Sequence, residues 1–148
     1  MTDPAHTDRT LQTARTLAGT AAAIYAAFAD PARLAQWWGP QGFTNRFETF
    51  EFKTGGRWRF VMHGPDGHDY RNECIFAELA ADRRIVIQHV SPPRFTLTVS
   101  LLPTADGTQV RWVQVFEDPA VAAAVRHVAE PGNEQNLDRL SLHLGAGS

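Results

Sequence analysis

Alternation of apolar and polar residues dominates the middle of the chain, from Phe43 to Phe116. The strictest case is Phe95–Leu101, in which every second residue is apolar, the pattern of a half-buried β-strand. Glycine-containing turns separate the alternating runs at Thr54–Gly56, Gly64–Gly67 and Asp106–Gly107. We therefore predict a sheet of about six or seven strands, over residues 10–17, 50–52, 57–62, 70–79, 85–90, 95–101 and 110–116.

Helix signals flank this strand-rich region on both sides. Thr20 is placed to cap a short helix, and Asp30–Pro31 begins a second one, because the carboxylate caps the first turn and proline fits it. Asp118–Pro119 begins a helical region at the C-terminus, which we expect to break at Pro131–Gly132 and to resume with Asn133 as a cap. Strands and helices that occupy separate parts of a chain predict an α+β fold with an antiparallel sheet.

Length and composition fit one folded domain. The chain has 148 residues, of which 43% are hydrophobic, and we assign residues 10–146 to a single domain after a flexible segment at residues 1–9. The formal net charge is −2, with 14 basic and 16 acidic residues, which argues against binding to nucleic acid or to an anionic membrane surface. The N-terminus lacks the apolar stretch of a signal peptide, and no apolar run reaches the length of a membrane span. We therefore expect a cytoplasmic protein.

The alternation also predicts which side chains face the interior. Because Arg57 and Arg59 must face water, Trp58 and Phe60 face inward. The same argument on the other strands gathers large apolar groups and a few polar ones on one face, which is typical of a small-molecule pocket; core packing by the same rings is the alternative. In the pair Trp37–Trp38, one ring is expected in the core and the other at the pocket mouth. The candidate ligand-binding residues are Trp37, Trp38, Trp58, Phe60, Met62, Tyr70, Asn72, Cys74, His89, Phe95, Leu97, Trp112, Gln114 and Phe116.

Several segments resemble, in the same order, the proteins related to the activator of the heat-shock chaperone ATPase. They are Asp30–Thr44, Thr54–Trp58, Gly64–Gly67, Gly107–Thr108 and Glu134–Leu140. The resemblance implies the wider helix-grip group, which includes the birch-pollen allergen, the steroidogenic-regulatory lipid-transfer domains and the aromatic polyketide cyclases. In that fold two short helices follow the first strand, a curved antiparallel sheet wraps around a long C-terminal helix, and a cavity lies between them. Fold membership alone does not imply a chemistry.

Three functions stay open at this point. The first is binding of a small apolar or amphipathic ligand, with no cofactor. The second is a cyclase- or hydratase-type enzyme that uses His89 and Tyr70 for proton transfer. The third, which the resemblance implies, is an interaction module with a chaperone as partner. Cys74 is expected to be an inert buried thiol, and no metal site is expected, because His63 and His89 are assigned to opposite faces of the sheet.

Overall fold

The computed structural model describes residues 8–146 of the chain. The flexible segment predicted at residues 1–9 therefore lies outside the described residues, except for Asp8 and Arg9. The elements are β1 (Thr10–Leu17), α1 (Ala21–Ala29), α2 (Pro31–Trp37), β2 (Thr44–Phe50), β3 (Arg57–His63), β4 (Asp69–Ala80), β5 (Arg84–His89), β6 (Phe95–Thr104), β7 (Gly107–Phe116) and α3 (Pro119–Ala146).

The strands form one seven-stranded sheet in the order β1-β7-β6-β5-β4-β3-β2. Every neighbouring pair is antiparallel, and α1 and α2 connect the two edge strands, β1 and β2. The register shifts between Phe47 and Thr49 in β2 and between Phe76 and Glu78 in β4. Such bulges bend a strand and increase its twist, which helps the sheet to curve around α3. The predicted α+β helix-grip fold, with two short helices after the first strand and a long C-terminal helix, is confirmed.

The caps of the two short helices are those that the sequence predicted. The Thr20 hydroxyl accepts a hydrogen bond from the Ala23 amide at 3.1 Å. The Asp30 carboxylate accepts one from the Ala32 amide at 3.0 Å. Each bond satisfies a backbone donor that the first turn of a helix leaves unpaired, so these local signals determine where α1 and α2 begin.

The predicted break at Pro131 is wrong, because α3 continues through it as one helix. Proline removes one hydrogen bond and crowds the preceding turn, at a cost of about 3 kcal/mol in a helix interior. Packing on both sides of Pro131 offsets this cost: Ala122 is fully buried before it, and Leu137 and Leu140 are fully buried after it. Tertiary burial rather than helix propensity therefore keeps α3 continuous.

Gly132 and Asn133 also have roles other than those predicted. A Cβ atom added to Gly132 would lie 3.4 Å from Cγ of Pro40, so glycine lets the α2–β2 loop approach the helix closely. Asn133 does not cap a helix; its Nδ2 donates a hydrogen bond to Oε1 of Gln114 in β7, at 3.0 Å. Both residues thus connect the middle of α3 to the rest of the fold.

The inward face of the sheet carries two hydrophobic clusters. The larger contains Trp58, which stacks on Phe60 with ring centroids 4.2 Å apart and also faces Phe76 at 5.8 Å. The smaller consists of Leu11, Phe116 and Ala122 with their neighbours. Among the helices of residues 8–146, none is both long enough and apolar enough to cross a membrane.

Candidate functional site

A pocket of about 710 Å³ lies between the sheet and the middle of α3. Leu97 and Trp112 from the larger cluster and Phe116 from the smaller one contribute to its walls. Its mouth opens to solvent beside Tyr70 and Val128, whose exposed fractions are 45% and 59%. The volume falls within the range of about 300–1,000 Å³ that is usual for small-molecule sites.

The composition of α3 explains why this space is not filled. Ala129, Gly132, Asn133 and Asn136 line the pocket at i, i+3, i+4 and i+7 spacing, which places them on one face of the helix. Two of these residues have little or no side chain, and the other two are short amides. The apolar stripe resumes only at Leu137. This interruption is the signal from which the sequence could have located the pocket, but the same residues were interpreted as a helix break.

The adjacent tryptophans after α2 divide between core and pocket. Trp37 is fully buried, and its Nε1 donates a hydrogen bond to the carbonyl of Ala27 at 3.1 Å. Trp38 lines the pocket, where its ring lies 5.9 Å from that of Trp112 and 5.1 Å from that of Trp58. Trp38 therefore joins the aromatic core to the pocket wall.

The structure brings together most of the residues predicted to contact a ligand. The pocket is lined by Trp38, Met62, Tyr70, Asn72, Phe95, Leu97, Trp112, Gln114 and Phe116. It is not lined by Trp37, Trp58, Phe60, Cys74 and His89. Trp37 belongs to α2, and the other four lie on the inward face of the sheet; all five are buried. Alternation assigns a strand residue to a face and not to a position along that face. Sequence reasoning missed the loop residues Gly39–Gln41 and the whole contribution of α3.

Cys74 belongs to the larger hydrophobic cluster, where it pairs with Trp58 of β3 and His89 of β5. It is buried, and desolvation, assisted by the nearby Glu73 carboxylate, raises the pKa of its thiol. A thiol held in its protonated form is a poor nucleophile and a poor metal ligand. The described residues contain no group of three or more His, Cys, Asp and Glu side chains that could hold a metal ion.

His89 lies at the end of β5, behind the pocket wall, with its ring stacked on that of Phe95 at 4.5 Å. Its Nδ1 is 2.8 Å from the carbonyl oxygen of Pro93, and its Nε2 is 2.7 Å from Oδ1 of Asn72. Burial lowers the pKa of His89, and this effect outweighs hydrogen bonds to the backbone at Pro93 and Ser91, which raise it. Both ring nitrogens are thus occupied by protein oxygens.

Tyr70, the other residue of the predicted proton-transfer pair, stands at the rim. Its hydroxyl donates a hydrogen bond to Oδ2 of Asp66 at 3.3 Å. Desolvation and the Asp66 carboxylate raise the pKa of the phenol. Asn72, which contacts His89, donates its Nδ2 to the backbone carbonyl of Tyr70 at 2.9 Å. The Tyr70 hydroxyl and the His89 ring therefore both have hydrogen-bond partners within the protein.

Amide side chains supply the polar part of the pocket. Asn133 bonds to Gln114, as described above, and Asn136 donates its Nδ2 to the carbonyl of Trp37 at 3.1 Å. Gln135 accepts a hydrogen bond from the backbone amide of Gln41 at 3.2 Å. These bonds attach α3 to the strand and the loop that it faces, and they orient the amides in the pocket wall.

A single arginine holds the loop that forms one wall. The guanidinium of Arg139, on α3, donates five hydrogen bonds to backbone carbonyls of the α2–β2 segment. The acceptors are Trp38 (3.0 Å), Gly39 (3.0 Å), Pro40 (2.8 Å), Gln36 (2.9 Å) and Phe43 (3.0 Å). Burial lowers the pKa of Arg139, but a guanidinium in a protein keeps its charge. Nη1 supplies three of these bonds and Nη2 two, so at least one N–H of Nη1 is shared between two carbonyls.

Comparison with known proteins agrees with the fold. A family model described as Activator of Hsp90 ATPase homolog 1-like protein matches residues 18–145. No curated protein sequence matches the chain significantly.

Solved structures share the fold along the whole chain. Protein NE0264 from Nitrosomonas europaea is 19% identical, with a TM-score of 0.87 over 99% of this chain and 100% of that one. A protein from Rhodobacter sphaeroides is 25% identical, with a TM-score of 0.83 over 97% and 96%. An AHSA1-like protein from Aeromonas hydrophila is 18% identical, with a TM-score of 0.73 over 93% of each chain. The present chain belongs to the family of Activator of Hsp90 ATPase homolog 1-like proteins.

Proposed function

We propose that this protein binds a small apolar or amphipathic molecule in the pocket between the sheet and α3. The observation that supports the proposal is the pocket itself, about 710 Å³ in volume, with Trp38, Trp112, Phe95 and Phe116 in its walls. A ligand that buries about 250 Å² of apolar surface gains roughly 6 kcal/mol at 25 cal/mol per Å². Part of that gain offsets the loss of translational and rotational freedom on binding, so the net gain is smaller than about 6 kcal/mol and the dissociation constant is expected to lie above roughly 40 μM.

Filling the pocket tests the proposal. Leu97 is buried in β6 and lines the pocket, so Leu97→Trp places an indole ring in the space that a ligand needs. Leu102, on the same strand, is 56% exposed and lies outside the pocket, so Leu102→Trp is the matched control. The probe is N-phenyl-1-naphthylamine, an uncharged aromatic amine whose fluorescence rises in apolar surroundings.

We expect Leu97→Trp to weaken binding of the probe by about tenfold or more, which corresponds to about 1.4 kcal/mol. Leu102→Trp should leave the affinity within about twofold of the wild type. Thermal melting of both variants verifies that they are folded. Equal affinity of the probe for the two folded variants would place it outside the pocket and would refute the proposal.

Binding is proposed ahead of catalysis because of the surroundings of His89 and Tyr70. General acid–base catalysis requires a group within hydrogen-bonding reach of the substrate. The His89 nitrogens face Pro93 and Asn72, and the Tyr70 hydroxyl bonds to Asp66. The cyclase- or hydratase-type activity and the chaperone partner stay predictions.

A further inference from the structure

The described residues that line the pocket carry no permanent charge, although the Asp66 carboxylate bonds to the Tyr70 hydroxyl at its rim. Among the described residues that line it there is no Asp, Glu, Lys or Arg, and His127 stands exposed on its rim. Arg139 comes from the same helix, but its guanidinium is bonded to five backbone carbonyls and does not line the pocket. An ion that entered would therefore find no opposite charge in the wall.

The wall nevertheless offers polar atoms that the protein leaves unused. Gln114 accepts a hydrogen bond from Asn133, but Nε2 of Gln114 and Oδ1 of Asn133 make no hydrogen bond with any described residue. Asn136 donates its Nδ2 to the carbonyl of Trp37, and its Oδ1 makes no hydrogen bond with any described residue. The indole N–H of Trp112 is buried in the same wall without a hydrogen-bond partner. Donors and acceptors are thus both present, and all of them are neutral.

These two observations limit the chemistry of the ligand. Transfer of a carboxylate, sulfonate or ammonium group from water into such a pocket carries a large desolvation cost, which no counter-charge offsets. A neutral head group that both donates and accepts hydrogen bonds has partners in the amide ends of Gln114, Asn133 and Asn136.

We infer that the ligand is an uncharged amphipathic molecule: an apolar body that carries a hydroxyl- or amide-type head. Organic ions of the same shape are discriminated against. This inference rests on the proposed function, because it assigns a chemical class to the molecule that occupies the same pocket. It goes beyond that proposal in excluding fatty-acid anions, organic sulfonates and organic phosphates.

A matched pair of fluorescent probes tests the inference. N-phenyl-1-naphthylamine is neutral and carries an N–H donor, and 8-anilino-1-naphthalenesulfonate is the same skeleton with a sulfonate. We expect the wild-type protein to bind the neutral probe at least about tenfold more tightly. The sulfonate also makes the probe less hydrophobic, which by itself weakens binding. The decisive quantity is therefore the ratio of the two affinities, neutral probe to sulfonate probe, and how that ratio changes when a charge is placed in the wall.

Gln114→Lys supplies that charge at the position of an unused donor, and Gln88→Lys, at an exposed position of β5, is the control. We expect Gln114→Lys to shift the ratio toward the sulfonate by about tenfold or more, and Gln88→Lys to leave it unchanged. If Gln114→Lys does not fold, a second measurement on the wild-type protein takes its place. Dodecanamide and dodecanoate each displace the neutral probe, and we expect the amide to bind more tightly than the carboxylate.

The outcomes separate the two proposals. If both probes bind the wild type equally and Leu97→Trp removes both, the pocket binds ligands but does not select neutral ones, and the inference is overturned. An unchanged ratio in folded Gln114→Lys, or equal displacement by dodecanamide and dodecanoate, overturns it as well. If Leu97→Trp leaves binding of the neutral probe unchanged, the proposed function itself fails.

Discussion

Replacement of Arg139 by methionine is expected to destabilise the protein much more than the same replacement of Arg126, on the same helix. The substitution keeps much of the apolar length of the side chain and removes the guanidinium. The change removes the Arg139 donors from five backbone carbonyls between residues 36 and 43, of which Trp38 keeps a bond from Asn45 and Pro40 one from the Phe43 amide. Since no carboxylate takes part in these bonds, the effect measures the attachment of the α2–β2 loop to the helix and not an ion pair.

The magnitude follows from the number of bonds and the surroundings of the acceptors. A hydrogen bond to a charged group contributes about 1.5–3 kcal/mol, so five independent bonds would sum to about 8–15 kcal/mol. That sum is an upper bound, because Gln36 is exposed and Trp38 and Pro40 are half-buried, so that water reaches carbonyls of this loop after the change. Removal of the partly buried charge also recovers part of its desolvation cost. We therefore expect a loss of about 2–4 kcal/mol in the free energy of unfolding, within the usual range for a broken network.

Urea unfolding of three variants measures this effect. Arg126→Met is the matched control, because Arg126 lies on the same helix and makes only an exposed i,i+4 pair with Glu130 at 2.8 Å. Its loss should stay below about 0.5 kcal/mol. Arg139→Lys keeps the charge but not the planar group, so it should lose more than half of what Arg139→Met loses. If Arg139→Met and Arg126→Met lower stability equally, the network does not hold the loop, and the reasoning is refuted.

Two further predictions concern pH and the β2–β3 turn. Burial lowers the pKa of His89 in the folded state, so the unfolded state binds the proton more tightly, and stability should fall as the pH drops below about 6.5, the ordinary histidine value. Urea unfolding at about pH 7.5 and pH 5 should show this loss in the wild type and in His68→Gln, a variant at an exposed site. The loss should be smaller in His89→Gln. A stability that rises as the pH falls would mean that the two oxygens facing the His89 ring hold it as the cation. A Cβ atom on Gly56 would lie 2.0 Å from the carbonyl oxygen of Glu51, so Gly56→Ala should cost about 3 kcal/mol or more. Gly55 has φ +83° and open space around it, so Gly55→Ala should lower the stability by only about 1–2 kcal/mol. Thermal melts that show equal losses for Gly55→Ala and Gly56→Ala would contradict the steric argument.

Much of the fold could be predicted from local signals. The period of two in Phe95–Leu101 indicated a strand, and the Thr20 and Asp30 side chains indicated helix starts, because these effects act between residues close together in the chain. The same period correctly separated exposed Arg57 and Arg59 from buried Trp58. Alternation could not distinguish a core position from a pocket position on one face.

The sequence by itself determined the strand pattern, the faces of the strands and the beginnings of the helices. Only the tertiary structure decided that α3 continues through Pro131, that Trp38 lines the pocket while Trp37 fills the core, and that Arg139 holds the opposite loop. The physical reason is the separation along the sequence over which each interaction acts. Capping and periodicity act within a few residues, whereas Arg139 bonds to Trp38 across 101 positions of sequence, and the pocket is the space that such long-range contacts leave between the sheet and the helix.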